Sequence, residues 1–249
     1  MGGCFIFKIR MISLAITNFN RSDSVIESFV QVLNNDFISE IVIVDDYSDA
    51  LSYISLWNLI NNLNNDKIKL HRNDANLKPF RNKYEAVKKC SNDWVILLDS
   101  DNIIANDYIK IVKHLDRKDD IIYNPETLYS ANKKSVDWCY KDFNKVIIDK
   151  SNVKKYMELP NFGTFLNTGN YFFNRNKYLQ IIEGCDNDVK LSVNDAIYFS
   201  YLWLLNGNRI KVVPDLSYIH RATEDSWWSI NSEKCILAAS EIIKRIEKW

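Results

Sequence analysis

Trp94-Val-Ile-Leu-Leu-Asp99-Ser-Asp101-Asn102 is an apolar run of strand length that stops abruptly at two carboxylates one residue apart. In an extended segment residues i and i+2 project to the same side, so Asp99 and Asp101 converge on one object. Two hard oxygen donors at the carboxyl end of a strand suit Mg²⁺ or Mn²⁺, which keep several waters and bind substrate phosphates as well. Taken alone, the stretch reads equally as a strand followed by a polar turn with solvated acids.

Working outward, a second stretch has the same form. Glu40-Ile-Val-Ile-Val-Asp45-Asp46-Tyr47-Ser48-Asp49 is an apolar, β-branched run ending in carboxylates, and Ile12-Ser-Leu-Ala-Ile-Thr17 runs into Asn18-Phe19-Asn20-Arg21. Helix-like segments lie between these strands, giving a β-α-β-α-β alternation. That alternation predicts a parallel sheet whose strand ends open on one edge. Ligands of open α/β sheets sit at that edge.

These residues carry a family resemblance. Thr17-Asn-Phe-Asn-Arg21, Val44-Asp45-Asp46-Tyr-Ser-Asp49 and Asp99-Ser-Asp101, in this order and spacing, resemble the family 2 glycosyltransferases of the GT-A fold, the last being its Asp-x-Asp motif. Gly169-Asn-Tyr-Phe-Phe-Asn-Arg175 is similar to the strand before that family's acceptor region, and Asn194-Asp195 stands where the family has an acidic pair opening a helix. The resemblance runs from about Met11 to Arg221. It implies an α/β fold, a three-layer α/β/α sandwich with a mostly parallel central sheet, in a single domain over 1–249. Within it, 11–103 is the nucleotide-sugar half, 104–230 the acceptor half and 231–249 a C-terminal helix.

The resemblance also implies the chemistry: metal-dependent, inverting transfer of a sugar from a nucleoside-diphosphate sugar, UDP favoured, to a glycan hydroxyl. Thr17, Phe19, Arg21, Asp46, Arg81, Asp99 and Ser100 match nucleotide-sugar positions. Asp101, with Asp99 and His220, matches the metal shell of Mn²⁺ or Mg²⁺. Asp195 matches the general base that deprotonates the attacking hydroxyl. A helix N-terminal acid stabilised by the macrodipole is the competing reading of Asp195. A solvent-facing or core-satisfied histidine competes at His220. Two departures stand out. The glycine-containing run before Arg81 is replaced by Asn76-Leu-Lys-Pro-Phe, and the first acid of the helix-opening pair is Asn194. Trp227-Trp228 offers an aromatic platform for an acceptor sugar, with core packing of the closing helix as its rival.

Composition narrows the function classes. The chain has 249 residues and a formal net charge of zero, which suits one sizeable α/β unit and lacks a general electrostatic footprint for nucleic acid. Cys4, Cys90, Cys139, Cys185 and Cys235 are scattered, with no CxxC pair, so neither a disulfide framework nor a zinc site is indicated and a cytoplasmic, reducing setting is expected. No apolar run approaches a membrane span, which leaves peripheral membrane contact open. Met1-Gly-Gly-Cys4-Phe-Ile-Phe is too short for a signal peptide's apolar region, and Ile6 stands where a myristoylation motif needs Ser or Thr. Two rival functions fit parts of the pattern. Leu97-Leu-Asp99-Ser-Asp101 imitates the nucleophile strand of haloacid-dehalogenase-type phosphatases, and a GT-A scaffold without turnover would bind a sugar nucleotide or glycan. No GxGxxG follows any strand, against a dinucleotide dehydrogenase.

Periodicity supplies the remaining elements. Ser24-Val-Ile-Glu27 reads as a capping box before an apolar stripe at Val25, Phe29, Val32 and Leu33. Helices are expected over 47–63, 80–89, 107–115 and 195–205. Strands are expected over 67–71, 120–124, 170–173, 210–213 and 216–219, and the segment 125–166 should form acceptor-side loops with short strands. Ser232 to Trp249 reads as a closing helix with Ile236, Ala239, Ile243 and Ile246 on one face.

Overall fold

The computed structural model describes residues 11–131, 135–186, 188–221, 224 and 226–249. The leading segment with Gly2 and Cys4 lies outside the described residues. The first half alternates as expected: β1 (Ile12–Asn18), α1 (Ser22–Phe29), β2 (Ile38–Asp45), α2 (Ala50–Leu63), β3 (Ile68–Arg72), α3 (Lys78–Lys89) and β4 (Trp94–Asp99). Next come β5 (Asn102–Ile103), α4 (Asn106–Lys113), β6 (Ile121–Ser130), β7 (Val136–Cys139), β8 (Ile147–Ile148) and α5 (Phe162–Leu166). The chain continues through β9 (Asn170–Asn174), α6 (Arg175–Glu183), α7 (Asp195–Leu205) and β10 (Arg209–His220), and closes with α8 (Trp227–Ile230) and α9 (Ser232–Glu247).

One mixed sheet runs in the order β3-β2-β1-β4-β9-β6-β10-β5, with β7 paired to β6 and β8 to β10. The β3-β2-β1-β4 block is parallel, as is β6 with β10; β9 is antiparallel to both β4 and β6. Every residue of β1 is buried, as are the apolar residues of β2 and β4, as a parallel sheet covered on both faces requires. Stepping outward through β1-β2-β3 and then back past β1 to β4 reverses the winding direction. Right-handed crossovers therefore put α1 and α2 on one face and α3 on the other. The contacts agree: α1 packs on α2, while α3 packs on β1, β2, α6 and α7.

Register fixes the functional edge. Asn18 stands opposite Asp45, Thr17 opposite Asp99 and Asp45 opposite Arg72, so the polar strand ends share one edge of the sheet. At the opposite edge Glu40, buried in β2, gathers Ser13 Oγ at 2.6 Å, Ser91 N at 2.5 Å and Lys69 Nζ at 2.5 Å. That clasp ties three neighbouring strands and the turn before β4 together.

Several elements differ from the sequence expectation. Ser24 is not a cap: α1 starts at Ser22 with no side-chain cap, and Glu27 pairs with Arg221 instead. α2 begins at Ala50 rather than Tyr47, because Asp49 caps it by accepting Ser52 N at 2.9 Å. β6 continues through Pro125 to Ser130. The proline is tolerated because the ladder is already interrupted there: β10 shifts register between Val213 and Ser217, and pairing with β9 is confined to Tyr123 opposite Phe172. The two strands expected over 210–219 are one strand with an irregularity at that shift. α6 went unpredicted, although Asn174 caps it by accepting Lys177 N at 3.0 Å. The closing helix buries Ile246 as expected, but its other inward residues are Cys235, Ala238 and Ile242, each one position before the expected Ile236, Ala239 and Ile243, and Ile236 is 56% exposed. Among the described residues no helix is long and apolar enough to cross a membrane.

Candidate active site

The strand ends carry the site, and the turns beyond them aim it. Asp99 closes β4; its carboxylate accepts Thr17 Oγ1 from neighbouring β1 at 3.0 Å and lies 3.0 Å from Lys83 Nζ. Asp101 follows the turn and is ion-paired with the Arg21 guanidinium, while its carbonyl accepts Arg221 Nε at 3.1 Å. His220 ends β10 directly opposite Asn102, so it comes up beside this turn. Burial, and then the Asp99 carboxylate, push the Asp101 carboxyl above the ordinary range, against the pull of Arg21 and His220.

Asp195 opens α7, where the sequence placed it. Its Oδ2 accepts Lys83 Nζ at 2.6 Å, so one ammonium, itself 8% exposed, bridges Asp195 and Asp99. Burial raises the Asp195 carboxyl, with Asp99 adding to the effect and Lys83 opposing it. Burial works against charge on Lys83, but Asp195 and Asp99 outweigh it and hold the ammonium well above the usual lysine range. Asp195 is both an acid in the first turn of α7 and a buried partner in an ion triad. Asn194 explains the missing first acid. Its Nδ2 donates to the Cys235 carbonyl at 3.1 Å, tying α7 to α9, a bond that an ionised carboxylate could not make.

Two cavities meet at these charges. One, of about 390 Å³, is lined by Thr17, Phe19, Arg21, Asp46, Lys78 and Ser100 among others. The second, of about 400 Å³, carries Trp138, Tyr140, Tyr218, His220 and Trp228. Asp99, Asp101, Lys83, Asp195 and Trp227 line both. The expected positions Thr17, Phe19, Arg21, Asp46, Asp99, Ser100, Asp101, Asp195, His220, Trp227 and Trp228 are thus brought together around one cleft. Arg81 is not: it lines neither cavity and lies against the Phe80 ring instead. Two residues further along α3, Lys83 lines both cavities, with its ammonium paired to Asp99 and Asp195.

Asp46 lines the first cavity with its carboxylate already engaged. Oδ1 accepts Asn73 Nδ2 at 2.9 Å and Leu77 N at 2.8 Å, and Oδ2 accepts Lys78 N at 2.9 Å, so it clamps the 73–78 loop over the cavity. Asp45 is fully buried and holds the following turn through Ser48 N at 3.0 Å and Asn18 Nδ2 at 2.9 Å. Trp227 and Trp228 are not core residues: Trp227 Nε1 donates to the Val193 carbonyl at 2.7 Å, and Trp228 is 50% exposed. Gly169 was legible only as part of a strand. A Cβ there would sit 3.0 Å from Asn102 Nδ2 and 3.3 Å from Asp99 Oδ2, so its missing side chain makes room for the Asp99 carboxylate.

No cluster of three His, Cys, Asp or Glu side chains able to hold a metal is assembled among the described residues. Mg²⁺ and Mn²⁺ need no such cage, since waters and substrate phosphates complete their shells around one or two carboxylates. Asp101 and Asp99, two hard oxygen donors lining both cavities, are of that kind, with Arg21 and Lys83 as their present counter-charges.

The sequence profile described as Glycosyl transferase family 2 matches residues 13–181. Among solved structures, S. aureus TarS 1–349 in complex with UDP is 16% identical, with a TM-score of 0.63 over 94% of this chain and 65% of that one. GalNAc-T7 with UDP, GalNAc and Mn²⁺ is 17% identical, with a TM-score of 0.63 over 87% of this chain and 44% of that one. The mannosyltransferase PcManGT from Pyrobaculum calidifontis, in complex with GDP-Man and Mn²⁺, is 13% identical, with a TM-score of 0.62 over 94% of this chain and 64% of that one. At such identities the likeness is one of fold, the GT-A fold, and the chain spans less than two thirds of each of these structures. No curated protein sequence matches it.

Proposed function

Because the chain belongs to glycosyl transferase family 2, we propose that it transfers a sugar from a nucleoside-diphosphate sugar, UDP favoured, to a glycan hydroxyl, with metal assistance and inversion at the anomeric carbon. The observation that carries this reading is the meeting of two cavities at Asp99, Asp101, Lys83 and Asp195. A donor in the first lobe and an acceptor in the second would touch only there.

In this reading Thr17, Phe19 and the Asp46-clamped loop shape the nucleotide end, and Arg21 and Lys78 face the phosphates. Asp101 would hold Mg²⁺ or Mn²⁺, with Asp99 and His220 beside it; when bound, the ion offsets the negative charge that builds on the leaving diphosphate. Asp195 takes the proton from the acceptor hydroxyl. Lys83 holds its Oδ2 at 2.6 Å, leaving Oδ1 for that proton. Burial makes Asp195 a stronger base than a surface aspartate, while Lys83 keeps it ionised. In this reading Asp99, held by Thr17 and Lys83, is a carboxylate beside the metal position and not a phosphatase nucleophile. A single base acting in one displacement leaves no covalent intermediate, which supports inversion.

The test is nucleoside diphosphate release from UDP-, GDP- and dTDP-sugars, with Mn²⁺ or with EDTA, by the unaltered protein and by Asp195→Asn. Release that requires Mn²⁺ is expected. Asp195→Asn should bind donor normally and turn over about 10²–10⁴-fold more slowly. A scaffold without turnover would bind donor and release nothing in either form. NMR of the product showing retained configuration, or a near-normal rate in Asp195→Asn, would remove Asp195 from the mechanism.

A further inference from the structure

We propose that Arg21 exchanges partners when donor binds: its guanidinium leaves the Asp101 carboxylate, freeing it for a divalent ion, and moves onto the donor diphosphate. The proposal rests on the reading of Asp101 as the metal carboxylate. It goes beyond that reading by making the carboxylate unavailable until Arg21 has another anion to meet. The observation behind it is the Arg21–Asp101 ion pair, whose side chains are only 16% and 15% exposed. There the guanidinium already neutralises the carboxylate assigned to the ion. A divalent cation brought to the same carboxylate would stand against that positive charge, and like charges set together away from water repel strongly.

Of the cations paired with Asp99 and Asp101, Arg21 is the one placed to yield. Lys83 lies 3.0 Å from Asp99 and 2.6 Å from Asp195, so withdrawing it would uncover two carboxylates at once. Arg21 lines the first cavity and not the second, with Lys78 on the same wall, which is the side read as the donor's. Asp101 itself is anchored. Its carbonyl accepts Arg221 Nε at 3.1 Å, and Arg221 is fastened to α1 through the Ser24 carbonyl at 3.3 Å and through Glu27. The carboxylate therefore stays in place while the guanidinium, on a long unbranched stem, moves.

A guanidinium suits both partners, because its planar fork pairs with carboxylate and phosphate alike and stays charged throughout. In the empty site Arg21 spares Asp101 from lying largely buried without a counter-charge. Without nucleotide it competes for the carboxylate, so the free ion binds weakly. A diphosphate draws Arg21 away and so tightens the ion, and by linkage the ion tightens the diphosphate by the same factor. Arg21 thus makes the site take nucleotide and ion together rather than the ion alone.

The experiment compares the unaltered protein with Arg21→Gln, Arg21→Lys and Asp101→Asn. Loss of the free-ion signal in electron paramagnetic resonance reads Mn²⁺ binding without nucleotide, and calorimetry reads UDP binding in EDTA and in Mn²⁺. Without nucleotide, Arg21→Gln should bind Mn²⁺ about tenfold more tightly than the unaltered protein. In EDTA it should bind UDP more weakly. These opposite signs identify the exchange, since a residue that only shapes the site would weaken both. Arg21→Lys, which keeps the charge, should stay near the unaltered protein in both readouts. If Arg21→Gln is destabilised by its unpaired carboxylate, Mn²⁺ alone should raise its melting temperature while barely moving that of the unaltered protein. Mn²⁺ binding by Arg21→Gln that is equal or weaker, or UDP binding in EDTA that ignores the substitution, would overturn the inference. Failure of the metal reading looks different: the gain in UDP affinity that Mn²⁺ brings would be missing from the unaltered protein, or would survive in Asp101→Asn.

Discussion

Lys83→Met removes the ammonium that bridges Asp195 and Asp99 while keeping an unbranched apolar stem of similar length. The magnitude follows from the geometry. Unit charges at about 4 Å attract by about 4 kcal/mol at the effective dielectric that suits protein sites, and here the separations are 2.6 and 3.0 Å. Desolvation of three side chains offsets much of that gain. Removing one partner leaves the others buried without compensation, a loss of about 3–5 kcal/mol. For a chain of this size each kcal/mol is about 2–4 °C of melting temperature, so the variant should melt roughly 6–20 °C lower and still fold. Turnover should fall further than stability alone explains. Without Lys83, burial and Asp99 both raise the Asp195 carboxyl against a backbone hydrogen bond that lowers it, and so favour the protonated form, which cannot act as a base. A loss of about 10²–10⁴-fold is expected.

A double-mutant cycle isolates the pair. Lys83→Met combined with Asp195→Asn exchanges two interacting charges for a neutral pair, and neutralising a buried pair as a unit is far less costly than breaking it. Urea unfolding of the four proteins should show the double variant more stable than Lys83→Met, with a coupling of about 2–3 kcal/mol. If Lys83→Met unfolds within 1 kcal/mol of the unaltered protein, or if the two losses simply add, the ion triad does not exist in solution and its role in holding Asp195 goes with it.

Glu40 gives the pH-dependent case. Burial opposes its ionisation, but Lys69, Ser13 and Ser91 more than offset this and bring the carboxyl down from 4.5 to about 2. A depressed carboxylate stabilises the fold above its unfolded value and loses that contribution as pH falls, so the difference between native protein and Glu40→Gln should be about 3 kcal/mol at pH 7 and shrink between pH 4.5 and 2. Urea midpoints across that range check it, and a gap independent of pH would contradict it. Gly169→Ala should lower both melting temperature and turnover, because its Cβ, 3.0 Å from Asn102 Nδ2 and 3.3 Å from Asp99 Oδ2, would make both side chains give way; steady-state rates and circular dichroism read both sides. Asp46→Asn, which turns an acceptor of Leu77 and Lys78 N–H groups into a mixed donor and acceptor, should cost about 1–3 kcal/mol and weaken UDP binding. Calorimetry with UDP would show affinity unaltered if the 73–78 loop were irrelevant to the donor.

What was legible in the sequence was whatever a local period or a strand end could carry. β1, β2 and β4 announce themselves as apolar runs stopping at polar residues, and α7 runs from Asp195 to Leu205 as expected. The segment after Pro125 was less legible. Its strands are held by partners far away in sequence, β6 by β10 and β8 by β10, and the edge strand β7 carries little apolar signal of its own. The closing helix illustrates a finer limit. Ile246 faces inward as its period suggests, but the first three positions of the stripe differ by one residue because Ile236 and Leu237 are apolar yet exposed, and hydrophobicity alone cannot say which side faces the molecule.

The site divides along the same line. Motif residues were found because carboxylates at strand ends are unusual, but their partners lie on other elements. Lys83 did leave a trace: Phe80, Lys83, Ala86 and Val87 form the inward stripe of α3, and a lysine set among buried residues at helical spacing asks for an anion. Arg81 drew attention instead because a family resemblance pointed to it. Burial reverses that priority. A cation in the buried stripe must meet its counter-charge inside the molecule, whereas Arg81, only partly buried, lies against the Phe80 ring. In this chain the lysine that breaks the apolar stripe leading into the acidic strand end points to the buried charge cluster, and the arginine beside it does not.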